Sequence, residues 1–411
     1  MKKVKIIIKI IVFFAIFIGI QYLIKFATLS DGATYGRLLM RNIYAKEKNI
    51  DILICGASHC QFGLNNYKMS EKFEMNAVNA GTSQQGLETS LAIIKEVARY
   101  YDLKKVYVDL DYSMVTTENP NLESIYLVSD YFRPSLRKVD YLLNATPFEH
   151  YFNSFMPLHN GREYRENPKA IAENIKMKLK SEYYNTSIDF FYNKWYSLSE
   201  DTILDDEGAL WTREETRKIS EVIPEKQYLM DVNRYLKKII EFCDNRGIEV
   251  EFICIPSSDF HMSQIDNYDQ YVEVIRNFLK QFSKEYYDFN LCKEEELPLN
   301  HDKYFWDDNH LNGIGATIFT EVLCDFYQGR ISEDQLFWST YEEKEKYSTP
   351  RFLGFKIPAQ ENMGLEMNIL PVTNNQELDV DIEIEHSEDG YLIKALIEDD
   401  IVSTLKLKDE H

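Results

Sequence analysis

Short apolar runs alternate with helical patterns in two parts of the chain. Five of these runs have the length and composition of buried parallel strands: 50–56, 75–81, 105–111, 248–255 and 287–291. Apolar positions recur at helical spacing between and after them, over 87–101, 228–246, 268–286 and 313–327. Strands that alternate with helices predict a parallel sheet with right-handed crossovers. The predicted fold class is therefore α/β, with a flavodoxin-like, mainly parallel sheet of about five strands.

The alternation is lost in two further stretches. Residues from about 113 to 226 are rich in Tyr, Phe, Asn and charge, with helical patches, and predict a mostly helical insertion. Residues 345–411 show period-two alternation with turn residues between the runs, which predicts a small antiparallel β module. We therefore predict an α/β domain over 45–335, with the β module appended to it.

The N-terminus has the pattern of a membrane anchor. Four lysines among the first nine residues precede the apolar run 10–24, and the stretch from Ile6 is about long enough to cross a bilayer. A cleaved signal peptide has a similar apolar region, but no small-x-small cleavage site precedes Lys25. Residues 1–27 are therefore predicted to be a retained, single-pass anchor. The lysine excess places the N-terminus in the cytoplasm and the domain outside.

Composition argues against nucleic-acid binding, a disulfide framework and a metal or other cofactor. The chain has 411 residues and a net charge of −21, so nucleic acids are poor partners for its surface. Four of the six cysteines lie in apolar strand-like or helical patterns and no Cys-x-x-Cys pair occurs, so we expect buried thiols and no disulfide framework. The sequence has no metal motif such as His-Glu-x-x-His, and we expect neither a metal nor another cofactor.

The first candidate for chemistry is Ser58. The segment Asp51–Gly63 reads Asp-Ile-Leu-Ile-Cys-Gly-Ala-Ser-His-Cys-Gln-Phe-Gly, so the serine follows directly on a buried strand. Ligands of doubly wound sheets bind at this carboxyl edge. A serine there can be a nucleophile, and it can equally be an N-cap that begins the next helix.

A second candidate segment contains Asp307 and His310 on a loop ahead of the last helix of the α/β region. An Asp three residues before a His can hold the imidazole through Nδ1 and leave Nε2 free to act as a base toward a hydroxyl. The alternative is a surface loop that caps the helix. Ser58 and the Asp-x-x-His pair, both at loop ends of one parallel sheet, together predict a catalytic triad.

These residues resemble the blocks of the SGNH (GDSL-like) hydrolase superfamily, and more closely its membrane-anchored branch of DltD-like and alginate O-acetylation proteins. Gly56–His59 matches the first block, Asn79–Gly81 the second and Asp307-x-x-His310 the fifth. The resemblance implies Ser58 as nucleophile with Asp307 and His310 as its proton relay. It further implies an oxyanion hole made of the Ser58 and Gly81 amides, with help from Asn79.

One block departs from the family pattern. The family often has Gly-x-Asn after the third strand, whereas this chain has Asp109-Leu110-Asp111, and an ionised carboxylate cannot donate a hydrogen bond to an oxyanion. We interpret Asp111 and His59 as possible pocket-lining residues. Cys60 is an alternative nucleophile two residues beyond Ser58.

The resemblance implies an extracytoplasmic esterase or O-acyltransferase that forms an acyl-serine intermediate. The expected substrates are an ester and a cell-envelope polysaccharide or exopolysaccharide, with acetyl as the acyl group and a multi-pass membrane acyltransferase as a partner. The alternative function is a non-catalytic, anchored carbohydrate-binding or assembly protein with a degenerate SGNH domain. The departure at Asp111 and the β module favour this alternative, and the intact Ser58, Asp307 and His310 set opposes it.

Overall fold

The computed structural model describes residues 2–29, 31–32, 34–112, 121–156, 168–189, 191–192, 226–262, 265, 267–299, 304–307, 309–347, 351–356, 368–372, 381–387, 390–397 and 400–408. The chain divides into two compact units. The first unit comprises residues 1–47 and 120–191, and the second comprises residues 48–119 and 192–411.

The helices and strands follow in chain order. The helices are α1 (Lys2–Thr28), α2 (Tyr35–Ala45), α3 (Ser58–Gly63), α4 (Asn66–Phe73), α5 (Leu87–Val97), α6 (Leu122–Ser129), α7 (Leu136–Ala145), α8 (Tyr151–Phe155), α9 (Pro168–Lys178), α10 (Ser181–Asn185), α11 (Lys226–Asp244), α12 (Asp259–Met262), α13 (Tyr268–Lys280), α14 (Gly313–Tyr327), α15 (Glu333–Leu336) and α16 (Tyr341–Tyr347). The strands are β1 (Ile52–Cys55), β2 (Ala77–Asn79), β3 (Lys105–Asp109), β4 (Glu249–Cys254), β5 (Tyr286–Asp288), β6 (Arg351–Lys356), β7 (Asn368–Val372), β8 (Asp381–Ser387), β9 (Gly390–Ile397) and β10 (Asp400–Lys408).

The second unit is built on a five-stranded sheet in the order β2-β1-β3-β4-β5. Each neighbouring pair is parallel. This is the flavodoxin-like order of doubly wound folds, and it confirms the predicted fold class. All residues of β1 and β2 are buried, as expected for strands covered by helices on both faces. The carboxyl ends of the parallel strands meet at one edge, so residues after β1, β3 and β4 are brought together there.

Helix ends in the second unit follow local chemistry. Gly247 has φ of +66° after α11, which only glycine adopts without strain, and it ends the helix as the sequence predicts. The helix predicted over 268–286 is wrong at its C-terminal end, because α13 stops at Lys280. Ser283 then takes a left-handed conformation with φ of 54°, and the chain turns into β5. Apolar spacing alone does not reveal this turn, since the residues of a buried strand continue the apolar pattern.

The core beneath the carboxyl edge joins the two segments that carry the candidate residues. α14 packs against α3 and α4. Asn65, which caps α4, donates its backbone amide to Thr320 Oγ1 at 2.9 Å and its side-chain amide to Thr317 Oγ1 at 2.9 Å. Ser58 begins α3 and His310 shortly precedes α14, so this packing holds the two segments that carry them close together.

The first unit contains α1, α2 and the helices α6 to α10. α1 is long and apolar enough to cross a membrane between Val4 and Thr28, with a mean hydropathy of 2.5, and its apolar window is not buried. Helices α6 to α10 lie in the stretch for which the sequence predicts a helical insertion. The domain boundaries 1–27, 45–335 and 345–411 stay predictions.

Antiparallel strands occupy the C-terminal stretch, as the period-two pattern predicts. β6 pairs with β7, and β8, β9 and β10 form a three-stranded sheet in the order β10-β9-β8. The sequence pattern identifies β7 to β10. It misses β6, whose residues Arg351–Lys356 break the alternation with a Gly between apolar positions.

Candidate active site

Ser58 lies just past the carboxyl end of β1. The chain leaves the strand at Gly56, Ala57 is extended with φ of −75° and ψ of −163°, and α3 begins at Ser58. Gly56 sits under this turn where no side chain fits, because an added Cβ would lie 2.7 Å from Asp109 Cβ and 2.6 Å from Cys60 Cβ. The sharp exit from the strand leaves the Ser58 side chain partly exposed at the edge of the sheet.

The predicted residues Ser58, Asp307 and His310 are brought together although 252 residues separate the serine from the histidine. Ser58 Oγ is 2.9 Å from His310 Nε2, so the hydroxyl can donate to this nitrogen. His310 Nδ1 is 2.9 Å from Asp307 Oδ1 and 2.8 Å from Oδ2. This is the order of contacts in which an imidazole accepts the hydroxyl proton while a carboxylate fixes its tautomer.

Asp307 is held in its ionised form by groups of its own loop. Burial would raise the pKa of this carboxyl, but the hydrogen bond and charge of His310 outweigh burial, and the pKa lies below its ordinary value of 3.8. The backbone amides of Asn309 and His310 add hydrogen bonds to Oδ1 at 2.9 and 2.7 Å. An ionised Asp307 favours the His310 tautomer whose Nε2 is unprotonated and faces Ser58.

The loop that carries Asp307 and His310 is closed at its base by backbone hydrogen bonds. Phe305 and Leu311 form an antiparallel bridge, and Trp306 N donates to His310 O at 2.8 Å. Asn312 then caps α14 by accepting from Gly315 N at 2.9 Å. Backbone pairing on both sides of His310 therefore limits the positions that its ring can take.

Aromatic rings surround the imidazole. The Phe62 ring centroid is 5.6 Å from that of His310 and packs edge-on, and Trp306 is 6.3 Å away. The ring of His59 lies 6.5 Å from that of His310. Such contacts restrict rotation of the imidazole and remove water from one side of it, which strengthens the electrostatic interactions of the triad.

Asn79 and Gly81 hold the first turn of α3. Asn79 is buried, and its amide nitrogen donates to Cys60 O at 2.9 Å and to Leu64 O at 3.1 Å. Its Oδ1 accepts from Gly81 N at 3.0 Å. The Gly81 amide and the Asn79 side chain thus contact each other and the nucleophile's helix. The oxyanion role of Ser58, Gly81 and Asn79 stays a prediction, and it requires the Gly81 amide to reach substrate past Asn79.

The closeness of Gly81 to α3 gives a testable consequence. A Cβ at this position would lie 2.7 Å from Gln61 N and 3.0 Å from Ala57 O, so Gly81→Ala must displace the turn that carries Ser58. We expect a loss of about 1–3 kcal/mol in the free energy of unfolding. Because small displacements of reacting groups are costly, we also expect ester turnover to fall about 100-fold. Both are measured by thermal unfolding and by hydrolysis of an acetyl ester.

Gly247→Ala is the matched control for this substitution. Gly247 has φ of +66° and no atom within 4 Å of an added Cβ, so alanine there adds backbone strain of about 1–2 kcal/mol without touching α3. A similar loss of stability with unchanged turnover is expected. If Gly81→Ala retains wild-type turnover, the contact does not position Ser58.

Cys60, the alternative nucleophile, is fully buried. Burial and the charge of Asp109 raise the pKa of its thiol well above the ordinary value of 9.0. A thiol in this state is not the reactive thiolate. All six cysteines are buried and free in the structure.

His59, Asp109 and Asp111 form a buried cluster beside the triad. His59 is 1% exposed and Asp109 0%, and Nδ1 of the histidine lies 3.6 Å from Asp109 Oδ2. Burial would lower the pKa of His59, but Asp109 outweighs burial and raises it; burial raises the pKa of Asp109. Within the described part of the chain, this cluster is the group whose ligand atoms, all within 4.8 Å of one another, could hold a metal ion.

Hydrogen-bond directions place a proton on His59 Nε2, the ring nitrogen that faces Ser257. Ser257 Oγ lies 2.7 Å from Asn309 Oδ1, which can only accept, so the single hydroxyl proton is used there. Ser257 Oγ must then accept from His59 Nε2 at 3.3 Å. A neutral His59 with its proton on Nε2 would direct the lone pair of Nδ1 toward the carboxylate of Asp109, which is unfavourable. His59 Nδ1 and Asp109 Oδ2 are 3.6 Å apart, too far for a direct hydrogen bond, and both atoms are buried without a hydrogen-bond partner among the described residues.

Sequence reasoning misses Asp109, Ser257 and Asn309 as neighbours of the site. Asp109 ends β3, Ser257 follows β4 after Pro256, and Asn309 lies within the histidine loop. The available signal is that each lies just past a strand or beside His310, at the edge where Ser58 also lies. The Asp109–His59–Ser257 array joins the first array through Asn309, whose backbone amide donates to Asp307.

No protein-family model matches the chain, and no curated protein is similar to it in sequence. Solved structures similar to it include a GDSL-like lipase from Bacteroides thetaiotaomicron, with 10% identity, coverage of 73% of this chain and 100% of the other, and a TM-score of 0.34. A proposed acylhydrolase from Bacteroides fragilis has 8% identity, coverage of 74% and 95%, and a TM-score of 0.33. A proposed platelet activating factor from Streptococcus pneumonia has 12% identity, coverage of 75% and 97%, and a TM-score of 0.31. The chain itself has the flavodoxin-like α/β fold that its sequence predicts, with an apolar N-terminal helix long enough to cross a membrane.

Proposed function

We propose that the protein is a serine esterase or O-acyltransferase. The observation that carries the proposal is the continuous hydrogen-bonded array from Ser58 Oγ through His310 to Asp307 at the carboxyl edge of the sheet. This combination of hydroxyl, imidazole and carboxylate serves acyl transfer on unrelated folds, so its geometry is the relevant criterion.

The array can carry out both halves of acyl transfer. His310 Nε2 takes the proton of Ser58 as Oγ attacks the ester carbonyl, and returns that proton to the departing alcohol when the ester bond breaks. In the second half, His310 takes a proton from water or from an acceptor hydroxyl, whose oxygen attacks the acyl-Ser58 carbonyl. The proton then passes to Ser58 Oγ as the acyl group leaves. Asp307 keeps the imidazole oriented throughout.

The proposed setting is the outer side of a membrane. α1 would cross the bilayer with the N-terminal lysines in the cytoplasm, and the enzyme domain would lie outside. With the resemblance noted in the sequence, this favours transfer of acetyl groups to or from a cell-envelope polysaccharide or exopolysaccharide. The same resemblance suggests a multi-pass membrane acyltransferase as partner.

The proposal is tested by trapping the acyl-enzyme. Full-length protein in nanodiscs is mixed with p-nitrophenyl acetate, quenched in acid and digested, and the acetylated peptide is located by mass spectrometry. We expect a burst of p-nitrophenol in proportion to enzyme and an acetyl group on Ser58. Acetylation of Cys60 or Ser257 instead, or no burst at all, would contradict the assignment.

Hydrolysis and transfer are separated by the fate of the trapped acyl group. Addition of a soluble polysaccharide with free hydroxyls should speed loss of acetyl-Ser58 and yield acetylated glycan if the protein is a transferase. An esterase loses the group to water at the same rate with and without glycan. The non-catalytic alternative, favoured by Asp111 where an oxyanion donor is expected, predicts glycan binding without any burst.

A further inference from the structure

Exposed apolar side chains are concentrated in the unit that contains α1. Outside α1, most of the large hydrophobic side chains that are exposed among the described residues belong to this first unit. Six of them lie close together along the chain, on α7, on the turn Phe148–His150 and on α8, and we call them the apolar surface: Leu136, Val139, Leu143, Phe148, Phe152 and Phe155. Leu136 is 87% exposed and Phe148 is 83% exposed.

The apolar surface follows from the two-sided pattern of α7. Tyr141, Leu142 and Ala145 are buried on one side of this helix. Leu136, Val139 and Leu143, at spacings of three and four residues, lie on the opposite side and are exposed. A helix that only covers a soluble core needs one apolar side, so the second side calls for another apolar partner.

Tyr151 joins the two halves of the apolar surface. Its hydroxyl donates to Leu143 O at 2.8 Å, which ties α8 to α7. Its ring packs edge-on against Phe148, with centroids 5.4 Å apart, and against Phe155 at 6.4 Å. Leu143, Phe148 and Phe155 of the apolar surface are therefore held around one tyrosine.

The same unit holds the end of α1 in a defined position. Lys178, on α9, donates to Phe26 O at 3.0 Å, and Asn174 donates to Ala27 O and Leu29 O at 2.9 and 3.0 Å. Lys25 forms an ion pair at 3.4 Å with Asp130, which directly follows α6. The rest of the first unit therefore contacts the C-terminal end of the apolar helix, which is the boundary of the bilayer if α1 crosses it.

α7 also starts close to that boundary. It begins six residues after Asp130, whose carboxylate pairs with Lys25 near the end of α1, and burial together with the charge of Lys25 lowers the pKa of Lys138 to about 8. Residues 133–138 include Arg133, Arg137 and Lys138, in a chain of net charge −21, while Asp140 on α7 and Glu149 in the turn are acidic. Basic side chains beside exposed Leu and Phe have the composition of segments that lie in the interface of an anionic bilayer.

We propose that the apolar surface lies in the lipid–water interface of the bilayer that α1 crosses, with the basic residues of α7 at anionic headgroups. This inference rests on the membrane-spanning role of α1 in the proposed function and does not depend on catalysis. The first unit is then attached to the bilayer in two ways, by α1 and by the apolar surface.

The test uses the full chain in nanodiscs of phosphatidylcholine and phosphatidylglycerol. Leu136→Cys and Phe152→Cys are labelled with an environment-sensitive fluorophore, since the native cysteines are buried and unlabelled wild type reports any background. Tyr347→Cys, at an exposed aromatic residue of the second unit, is the matched control. We expect quenching by doxyl-labelled lipids at 136 and 152 with protection from aqueous iodide, and iodide quenching at 347.

The outcomes distinguish failure of this inference from failure of the membrane-spanning role proposed for α1. Labels at 136 and 152 that iodide quenches as readily as the label at 347 would overturn the inference, provided that the chain resists extraction from liposomes by alkaline carbonate. Extraction by carbonate would instead show that α1 does not span, and would overturn both. Labels that become protected only after a membrane protein partner is added would also overturn it, because the surface would then bind protein rather than lipid.

Discussion

Replacing Ser58 with alanine is expected to lower the turnover of an acetyl ester by about 10⁴- to 10⁶-fold. The substitution removes the oxygen that lies 2.9 Å from His310 Nε2 and leaves the surrounding backbone in place. Because alanine fits the first position of α3 without contacting new groups, the unfolding temperature should stay close to that of wild type. The measurement is the initial rate of hydrolysis, together with labelling by a fluorophosphonate, which should be lost completely.

Ser257→Ala is the matched control, since Ser257 is a second hydroxyl that faces an imidazole. Its proton goes to Asn309 Oδ1, and its contact with His59 Nε2 is longer, at 3.3 Å. We therefore expect at most about a tenfold loss of turnover from a small shift of the histidine loop. The assignment of nucleophile would be reversed if Ser257→Ala abolished turnover and labelling while Ser58→Ala kept both.

The parallel sheet is the part of the fold that the sequence predicts best. Strands β1 to β4 are short runs with apolar residues and turn-forming residues near their ends, such as Gly56 after β1 and Pro256 after β4. The run 287–291 is predicted less well, because β5 covers only Tyr286–Asp288 and Phe289–Leu291 form a single helical turn. The end of α13 and the strand β6 are not predictable in this way. In both places the local pattern is compatible with two structures, and contacts distant in sequence decide between them.

The candidate site likewise has one part that the sequence predicts and another part that it does not. Ser58 and the Asp307/His310 pair can be predicted because each has its own local spacing and each follows an element of the sheet. The array of His59, Asp109 and Ser257 cannot, because its three residues are linked only by the sheet order β1-β3-β4. The hydrogen bond from Gly81 N to Asn79 Oδ1 cannot be predicted from the sequence either, because Asn-Ala-Gly does not determine the direction in which the Gly81 amide points.

Asp307→Asn is expected to lower kcat about 10⁴-fold with little change in KM. An asparagine amide fits the same space, but it can donate to His310 Nδ1, which favours the tautomer with a proton on Nε2. That proton would point at Ser58 Oγ, and the imidazole could no longer accept from the hydroxyl. KM should change little because Asp307 contacts His310 and loop amides rather than the site of ester attack.

A pH series separates this catalytic effect from a structural one. The pKa of Asp307 is lowered in the folded protein, so its ionised form contributes stability above the ordinary value of 3.8, and this contribution is lost as pH falls through the folded pKa. Wild type should therefore exceed Asp307→Asn in unfolding temperature at pH 7, and the difference should vanish at strongly acidic pH. Turnover of Asp307→Asn within tenfold of wild type at pH 7, with that stability difference intact, would show that the carboxylate holds the loop without directing the proton of His310.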